Sequence, residues 1–550
     1  MPAHQLNGLS QSDHQRLIAL AHEEISLRLP NYICSEWKEG IGADHKLVDP
    51  VTGEELAVVS SSGLDLRAAL EHARRIGSAT LQTLTYQQRA LLLGKIADVL
   101  TAHRADYFDI SAKNLGATQA DAAVDIDGAI YTLKQYAKLG QGLAGKLFRD
   151  GSPVPLSKTG VFQGQHFLKP LGGMAVLINA FNFPAWGLWE KASPAILSGV
   201  AVLVKPASTT AWLTHRMVED VIKAQLLPEG ALSIVCGAPR DLLDHVGEED
   251  VITFTGSSRS ASSIKTHPNV VARSVRMNVE ADSLNSAVLG PDVPPGTQIF
   301  DLLAKEVVHE MTIKAGQKCT AIRRVLVSRE HARPLAEAIS GRLAAIKVGN
   351  PRNQEVKCGP LVNREQQASV LEGLARLRTE AELTFGGETD FQPVDADRDT
   401  ACFVQPTLLF SPQPLESGAV NEVEIFGPVA TICPYDSVEE AIEIARRGSG
   451  SLVASIFSDD PKFNREVVLG IAGTHGRIMV VDESVGGNHT GHGNVLPSCL
   501  HGGPGRAGGG EELGGLRALN LYHRRFAVQG NSTLIADLAE AAIDATSLYQ

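Results

Sequence analysis

The chain has no Cys-x-x-Cys pair, and its seven cysteines, Cys34, Cys236, Cys319, Cys358, Cys402, Cys433 and Cys499, are an odd number that cannot all pair within one chain. This excludes a disulfide framework and leaves reduced thiols, each a small buried hydrophobe or a reactive group. Positive charge is not in excess either. Over 550 residues, 50 Lys and Arg stand against 62 Asp and Glu, a net charge of −12, which argues against nucleic-acid or anionic-membrane partners. No apolar run approaches the ~18 residues of a membrane span, and the N-terminus lacks the basic, apolar, small-residue order of a signal peptide, so a cytoplasmic protein is expected. No Gly-x-Gly-x-x-Gly follows a strand-like run and no Gly-x4-Gly-Lys-Ser/Thr occurs, which removes the ordinary Rossmann phosphate turn and P-loop phosphoryl transfer. HEMTI, from His309 to Ile313, has Ile where a zinc protease needs its second His. There is no internal repeat and no low-complexity tract.

What remains is the composition of an ordinary globular chain, 43 % hydrophobic and 20 % charged, able to bury a large core. Its length suggests about three or four structural units, or fewer large α/β ones. From Gly172 to Gly290 short β-rich runs (MAVLINA, AVLVKPA, LSIVCG, VITFTG, VRMNVEA, SAVLG) alternate with helical stretches such as WLTHRMVEDVIKAQLL. Such alternation predicts βαβ units and a parallel sheet covered on both faces. A second series begins near Arg324, so two α/β lobes are expected. GVFQGQHFLKP and ALNLYHRRFAVQG have strand character without helices and predict a small separate sheet, while the glycine-dense Gly502 to Gly515 reads as a loop where backbones approach closely. Residues 1–30, with the helically spaced LIALAHEEISLRL, read as an extension from an upstream start or a docking helix, the former being favoured.

Four segments suggest chemistry. Cys319 in KAGQKCTA lies on a small-residue turn expected to enter a helix, flanked by Lys314 and Lys318. Cations and a helix N-terminus both lower a thiol pKa; a buried structural Cys is the alternative. Glu280 in NVEADSLN ends a predicted strand, either as a general base beside a pocket or as a solvated charge. Asn182 in NAFNFPAWGLWEKASP follows an apolar strand and precedes a helix opened by Pro184, a place for an oxyanion donor or a plain cap. Lys205 in AVLVKPAS, with Gly256 and Ser257 in VITFTGSS, sits at strand ends where ribose and pyrophosphate can be held. His489, His492, Cys499 and His501 have metal-ligand types, but without carboxylates around them in sequence they read as loop histidines, and no metal is expected.

Together FNFP, VKPA, FTGS, the Glu of NVEAD, GQKCTA and EIFGP resemble, in order and separation from about Tyr32 to Val528, the aldehyde dehydrogenase superfamily. NVEADSLN, the Asn488 to Gly515 segment and RRFAVQG look most like the branch acting on CoA-thioester semialdehydes in aromatic-acid degradation, and the chain has no spare length for a C-terminal hydratase domain. The resemblance implies an α/β aldehyde dehydrogenase fold with two Rossmann-like lobes and a small β oligomerisation element. It places a cofactor-binding domain at 31–147 and 168–290, a catalytic domain at 291–515, oligomerisation strands at 148–167 and 516–530, and a tail at 531–550. It also implies that Cys319 is the nucleophile, that Asn182 and the Cys319 N–H hold the oxyanion, and that Glu280 activates the hydrolytic water. Lys191, with its neighbour Glu190 where relatives often have Trp, would relay protons. Lys205 would meet the adenosine ribose, Glu424 the nicotinamide ribose and Phe426 the nicotinamide, with Phe181, Gly256 and Ser257 completing the cofactor contacts.

Two departures qualify the pattern. Many NAD-specific members follow Lys-Pro-Ala/Ser with Glu, whose carboxylate repels a 2′-phosphate; here the position is Ser208, followed by Thr209 and Thr210. NADP is therefore expected, with NAD used less well. CGAPRD also replaces a longer glycine pattern after the LSIV strand. The expected substrate is a CoA-linked semialdehyde, oxidised to the acid by a homodimer or dimer of dimers. The alternatives are a general aldehyde dehydrogenase for free aldehydes, a CoA-acylating enzyme, which needs no water-activating carboxylate, and a non-catalytic protein of the same fold.

Overall fold

The computed structural model describes residues 27–387 and 390–549. Most of the N-terminal helical reading lies outside the described residues; its last three, Leu27–Leu29, are instead a strand parallel to Glu55–Val59. Among the described residues no helix is long and apolar enough to cross a membrane.

Five of the predicted strands build one sheet, in the spatial order Arg276–Glu280, Val251–Thr255, Met174–Ile178, Ala201–Lys205, Leu232–Ile234, all parallel. Asn31–Ile33 and Glu36–Lys38 add an antiparallel edge. Apolar runs such as MAVLI and VITFT have no polar alternation because helices cover both faces, and Val176, Leu177, Leu203 and Ile252 are all fully buried. Truncating such a residue to Ala costs about 2–5 kcal/mol.

The second sheet has six parallel strands, Thr407–Phe410, Val429–Tyr435, Arg324–Ser328, Ser286–Leu289, Ser451–Phe457 and His475–Val481, with Glu382–Phe385 antiparallel at one edge. This corrects the sequence boundary at residue 290. Strand Ser286–Leu289, grouped by alternation with the first lobe, is hydrogen-bonded in the middle of the second, so the chain changes sheets between Glu280 and Ser286.

Phe162–Pro170 pairs antiparallel with His523–Asn531 over nine residues, and Phe148–Pro155 and Ile543–Asp544 complete a four-stranded sheet. The two strand-like segments thus do pair, although the first five residues of the second, ALNLY, belong to the 3-10 helix Gly515–Tyr522, and the tail also joins through helix Ser532–Glu540 and Ile543–Asp544. Composition did not point to helix Gln119–Gln141, which opens on a Thr118/Asp121 capping box. The Asp125 carboxylate on that helix accepts from the backbone N–H of Trp186 at 2.7 Å, tying it to the N-terminus of helix Trp186–Ser198.

Candidate active site

Cys319 lies in a turn between helix Gln298–Thr312 and strand Arg324–Ser328, with no helix after it, contrary to the expectation. The turn is held by side chains: Asn285, the last residue of NVEADSLN, donates to the carbonyls of Cys319 (2.7 Å) and Ala321 (3.0 Å), Arg323 donates to those of Gly316 and Lys318, and Thr320 to that of Gly493. Neither flanking lysine serves the thiol. Lys318 pairs with buried Glu310 at 2.8 Å, and the Lys314 ammonium lies over the Phe183 ring at 4.6 Å. The expected depression of the Cys319 pKa is therefore corrected: burial first, then the Glu280 and Glu190 carboxylates, push the thiol well up, and Lys318 offsets only a little. Cys319 remains partly exposed, facing a cavity.

Glu280 is at the end of its strand, as expected, but buried at 2 % exposure. A Glu280 carboxylate oxygen, the Cys319 sulfur and a His501 ring nitrogen lie within 4.8 Å of one another, and His501 Nε2 is 3.0 Å from Glu280 Oε2. Burial works to raise the Glu280 carboxyl, yet His501 and, behind it, Lys191 outweigh burial and hold it well below the usual range. Asn182, also buried, donates its side-chain N–H to the Gln317 carbonyl at 3.0 Å, which holds the amide against the Cys319 turn.

Behind this group lies a buried charge cluster. The Lys191 ammonium is hydrogen-bonded to Glu190 and lies 3.0 Å from Glu512 Oε2, while oxygens of Glu190, Glu280 and Glu512 fall within 4.8 Å of one another. Burial raises Glu190 strongly, Lys191 opposing it; for Lys191 itself the surrounding carboxylates overcome burial and keep the ammonium charged.

His501 and Glu512 are register partners on the hairpin Leu500–Gly503/Gly510–Leu513, so both side chains leave the same face. The hairpin lies against strand Arg276–Glu280: Asn278 Nδ2 donates to Glu512 and its Oδ1 accepts from Glu511 N. Gly508 and Gly510 permit this contact, since a Cβ would fall 2.2 and 2.5 Å from the Val279 carbonyl oxygen. The close-approach reading of this loop holds, whereas the loop-histidine reading fails for His501, which belongs to a strand; His492 does lie in a turn, buried with Nδ1 2.6 Å from Ser455 Oγ.

A cavity of about 510 Å³ opens onto Cys319 and is lined by Phe183, Trp186, Tyr131, Val495, Leu496 and His501, among others. The remaining candidates gather at the C-terminal ends of the first sheet's parallel strands, where α/β folds bind ligands. Lys205 ends its strand, with burial lowering its ammonium pKa. Gly256 follows strand Val251–Thr255, separated from the Lys205 strand by Met174–Ile178, and Ser257 caps helix Ser258–Lys265. Ser208 donates its hydroxyl to the Gly237 carbonyl at 3.0 Å, Thr210 to the Phe181 carbonyl, and Thr209 Oγ1 lies 3.4 Å from His45 Nε2. From the second lobe, the Glu424 carboxylate accepts from Ser283 N at 3.1 Å; burial pushes it up to about 7, against the pull of Arg323. The Phe181 and Phe426 rings meet edge-on at 5.7 Å.

Two α/β sheets with a thiol, an amide and a carboxylate gathered where they meet describe an NAD(P)-dependent aldehyde-oxidising enzyme, and the chain belongs to the aldehyde dehydrogenase family, whose model matches residues 37–514. It is 60 % identical over 479 residues to the 3,4-dehydroadipyl-CoA semialdehyde dehydrogenase of Aromatoleum evansii, covering 87 % of this chain and 93 % of that one. Protein MaoC of Klebsiella aerogenes is 45 % identical over 183 residues, 33 % of this chain and 53 % of that one. In fold the chain matches the betaine aldehyde dehydrogenase of Staphylococcus aureus solved in complex with NAD+, at 23 % identity and a TM-score of 0.80, over 94 % of this chain and 96 % of that one.

Proposed function

We propose that this protein oxidises a CoA-linked semialdehyde, 3,4-dehydroadipyl-CoA semialdehyde or a near analogue, to the free acid with NADP+ in aerobic aromatic-acid degradation. The observation that carries the substrate is the 60 % identity over most of both chains. The cavity supports it: about 510 Å³ beside Cys319, with Phe183, Trp186, Val495 and Leu496 on its wall, gives room for an acyl chain with its aldehyde at the thiol.

In this reading 31–147 and 168–280 form the cofactor-binding domain and 286–515 the catalytic domain, with the chain crossing between them at 281–285. Lys205, Ser208, Gly256, Ser257, Phe181, Glu424 and Phe426 fit a dinucleotide. Ammonium and backbone N–H groups stand at strand ends, a carboxylate with room to accept faces them, and two aromatic edges suit a planar ring. At residue 208 a hydroxyl stands where a carboxylate would repel a 2′-phosphate. Asp44, against Gly237, is already engaged by Ser61 and Ser62, which leaves Lys205, Thr209 and His45 to meet a phosphate.

Glu280 takes the Cys319 proton as the thiolate adds to the aldehyde carbon, and the Asn182 amide with the Cys319 backbone N–H holds the oxyanion. A bound nicotinamide supplies the hydride acceptor that converts the thiohemiacetal to a thioacyl-enzyme. Glu280, relieved of its proton through Lys191, Glu512 and Glu190, then deprotonates the water that hydrolyses the thioester. A carboxylate at the thiol is what an acid-forming enzyme needs and a CoA-acylating one does not.

The four-stranded sheet exposes Val154, Phe162 and Phe526, with exposed Val161 in the connection beside them, and this apolar surface supports a homodimer or dimer of dimers. Phe526→Asp is expected to shift the mass by light scattering to the monomer; an unchanged mass removes that sheet from the interface. For function, kcat/KM is compared for a six-carbon CoA semialdehyde and free short aldehydes, each with NADP+ and NAD+ and no free CoA. A thioester and NADP+ preference supports the reading. Equal rates with free aldehydes overturn the substrate, and a requirement for free CoA overturns the hydrolytic step.

A further inference from the structure

The site contains a histidine that neither the motifs nor the proposed chemistry uses. His501 is 2 % exposed, and its ring meets Trp186 edge-on at 5.6 Å, on the wall of the cavity that opens at Cys319. Its Nε2 atom lies 3.0 Å from Glu280 Oε2, and among the described residues no Lys or Arg side chain comes within 4.0 Å of that carboxylate. Neither Glu280 oxygen receives a backbone N–H or hydroxyl donor. A buried carboxylate with so little support is costly and would be driven to bind a proton. The charged groups facing Glu280 are His501 from one strand of the hairpin, Glu512 from the other, Lys191 and Glu190 from helix Trp186–Ser198, and Cys319 from its turn. Two carboxylates in that set repel Glu280, and Lys191 is already engaged by both.

We infer that His501 is a positioning residue for Glu280: its imidazole pins the carboxylate beside the thiol and keeps it ionised, ready to take the Cys319 proton and later that of the hydrolytic water. The hairpin register links this to the charge cluster, because the two strands that bring His501 to Glu280 also bring Glu512 to Lys191. One rigid element, clamped by Asn278, thus sets the base and its proton exit together. The inference rests on Glu280 being the base.

The test is the pH profile of kcat/KM for wild type, His501→Phe, which keeps the packing on Trp186 without a donor, and His501→Gln, which restores a donor. Losing the nearest polar partner of a buried carboxylate, whether it acts by charge or by hydrogen bonding, moves a carboxyl pKa by about 1–3 units. The acid limb of His501→Phe is therefore expected to move up by that amount, with kcat/KM about tenfold lower per unit at pH values below it. His501→Gln is expected to bring the limb part of the way back. Should the Phe variant fail to fold, judged by circular dichroism, His501→Ala is read in the same way. A folded Phe or Ala variant whose limb stays at the wild-type position, whatever its KM, reduces His501 to a packing residue and overturns the inference. Failure of the underlying reading looks different: Glu280→Gln would then retain steady-state turnover.

Discussion

The elevated thiol pKa gives the sharpest test of the site. If Glu280 and burial hold the Cys319 proton on, removing the Glu280 charge without changing its shape must let that proton go more easily. The sulfur and a Glu280 oxygen are within 4.8 Å. With an effective dielectric constant of about 20, unit charges at that separation repel by about 3.5 kcal/mol, equivalent to about 2.5 pKa units. The partial opening of Cys319 to the cavity reduces this, so Glu280→Gln is expected to lower the thiol pKa by about one to two units. The assay is the rate of iodoacetamide alkylation against pH, read on the Cys319 peptide by mass spectrometry because exposed Cys499 and half-buried Cys34 also react. A midpoint that stays in place or rises refutes the argument, since it would mean that carboxylate repulsion does not govern the thiol. In the same variant the single-turnover burst of reduced cofactor is expected to be slowed, because Glu280 also takes the Cys319 proton, while steady-state turnover falls about 10²–10⁴-fold through the hydrolytic step; a burst at the wild-type rate would remove Glu280 from the step before hydride transfer.

Other consequences follow from named contacts. Ser208→Glu places a carboxylate where the 2′-phosphate is proposed to lie, and the NADP+ to NAD+ ratio of kcat/KM should fall at least about tenfold, about 1.4 kcal/mol; an unchanged ratio removes Ser208 from cofactor choice. Lys191→Met leaves buried Glu190 and Glu512 without their shared ammonium, so urea unfolding should show a loss of about 3–5 kcal/mol together with reduced turnover. His492 is buried and neutral, its pKa lowered from 6.5 to about 3, first by burial. The unfolded chain therefore binds a proton that the folded one refuses. This group's contribution is intact above pH 6.5 and drains away as the pH falls toward 3, by up to about 5 kcal/mol. Denaturation midpoints at pH 7.5 and 5.5 should separate less in His492→Asn than in wild type, and equal separations would exclude His492 as an acid-sensitive group.

Much of the molecule was legible in the sequence because local pattern and tertiary role agree. Buried parallel strands must be apolar on both faces, so MAVLI, AVLV and VITFT announced themselves, and the residues at their C-terminal ends, Asn182, Lys205, Gly256 and Glu280, followed from the general position of ligands in α/β folds. Helix Gln119–Gln141 was not legible, because QADAAVDIDG begins with carboxylates and small residues that resemble a loop; two of those carboxylates, on Asp121 and Asp125, are in fact buried acceptors for the backbone N–H groups of Lys314 and Trp186. The change of sheet after Glu280 was hidden as well, since SAVLG has the same apolar character whichever sheet it joins.

The thiol environment shows why charge near a residue in sequence misleads. Lys318 is the immediate neighbour of Cys319 and carries the sign that would activate it, yet adjacent side chains on an irregular turn point apart, and Glu310, eight residues earlier on a helix, takes its charge. The groups that do face the sulfur are Glu280, 39 positions away, and His501, 182 positions away on the glycine hairpin. A thiol raised by carboxylates is suited to this chemistry. It stays protonated and unreactive until substrate binding displaces water and an oxyanion hole stabilises the adduct, and the carboxylate that delays attack is the one that accepts the proton when attack occurs. Activation then depends on that carboxylate remaining ionised in a buried place, which requires a neighbour such as His501 and a chain arrangement that brings it there. The close backbone approach of Gly508 and Gly510 to Val279 is therefore as much a part of the site as the motif around Cys319: any side chain there would lift the hairpin and withdraw His501 and Glu512 together.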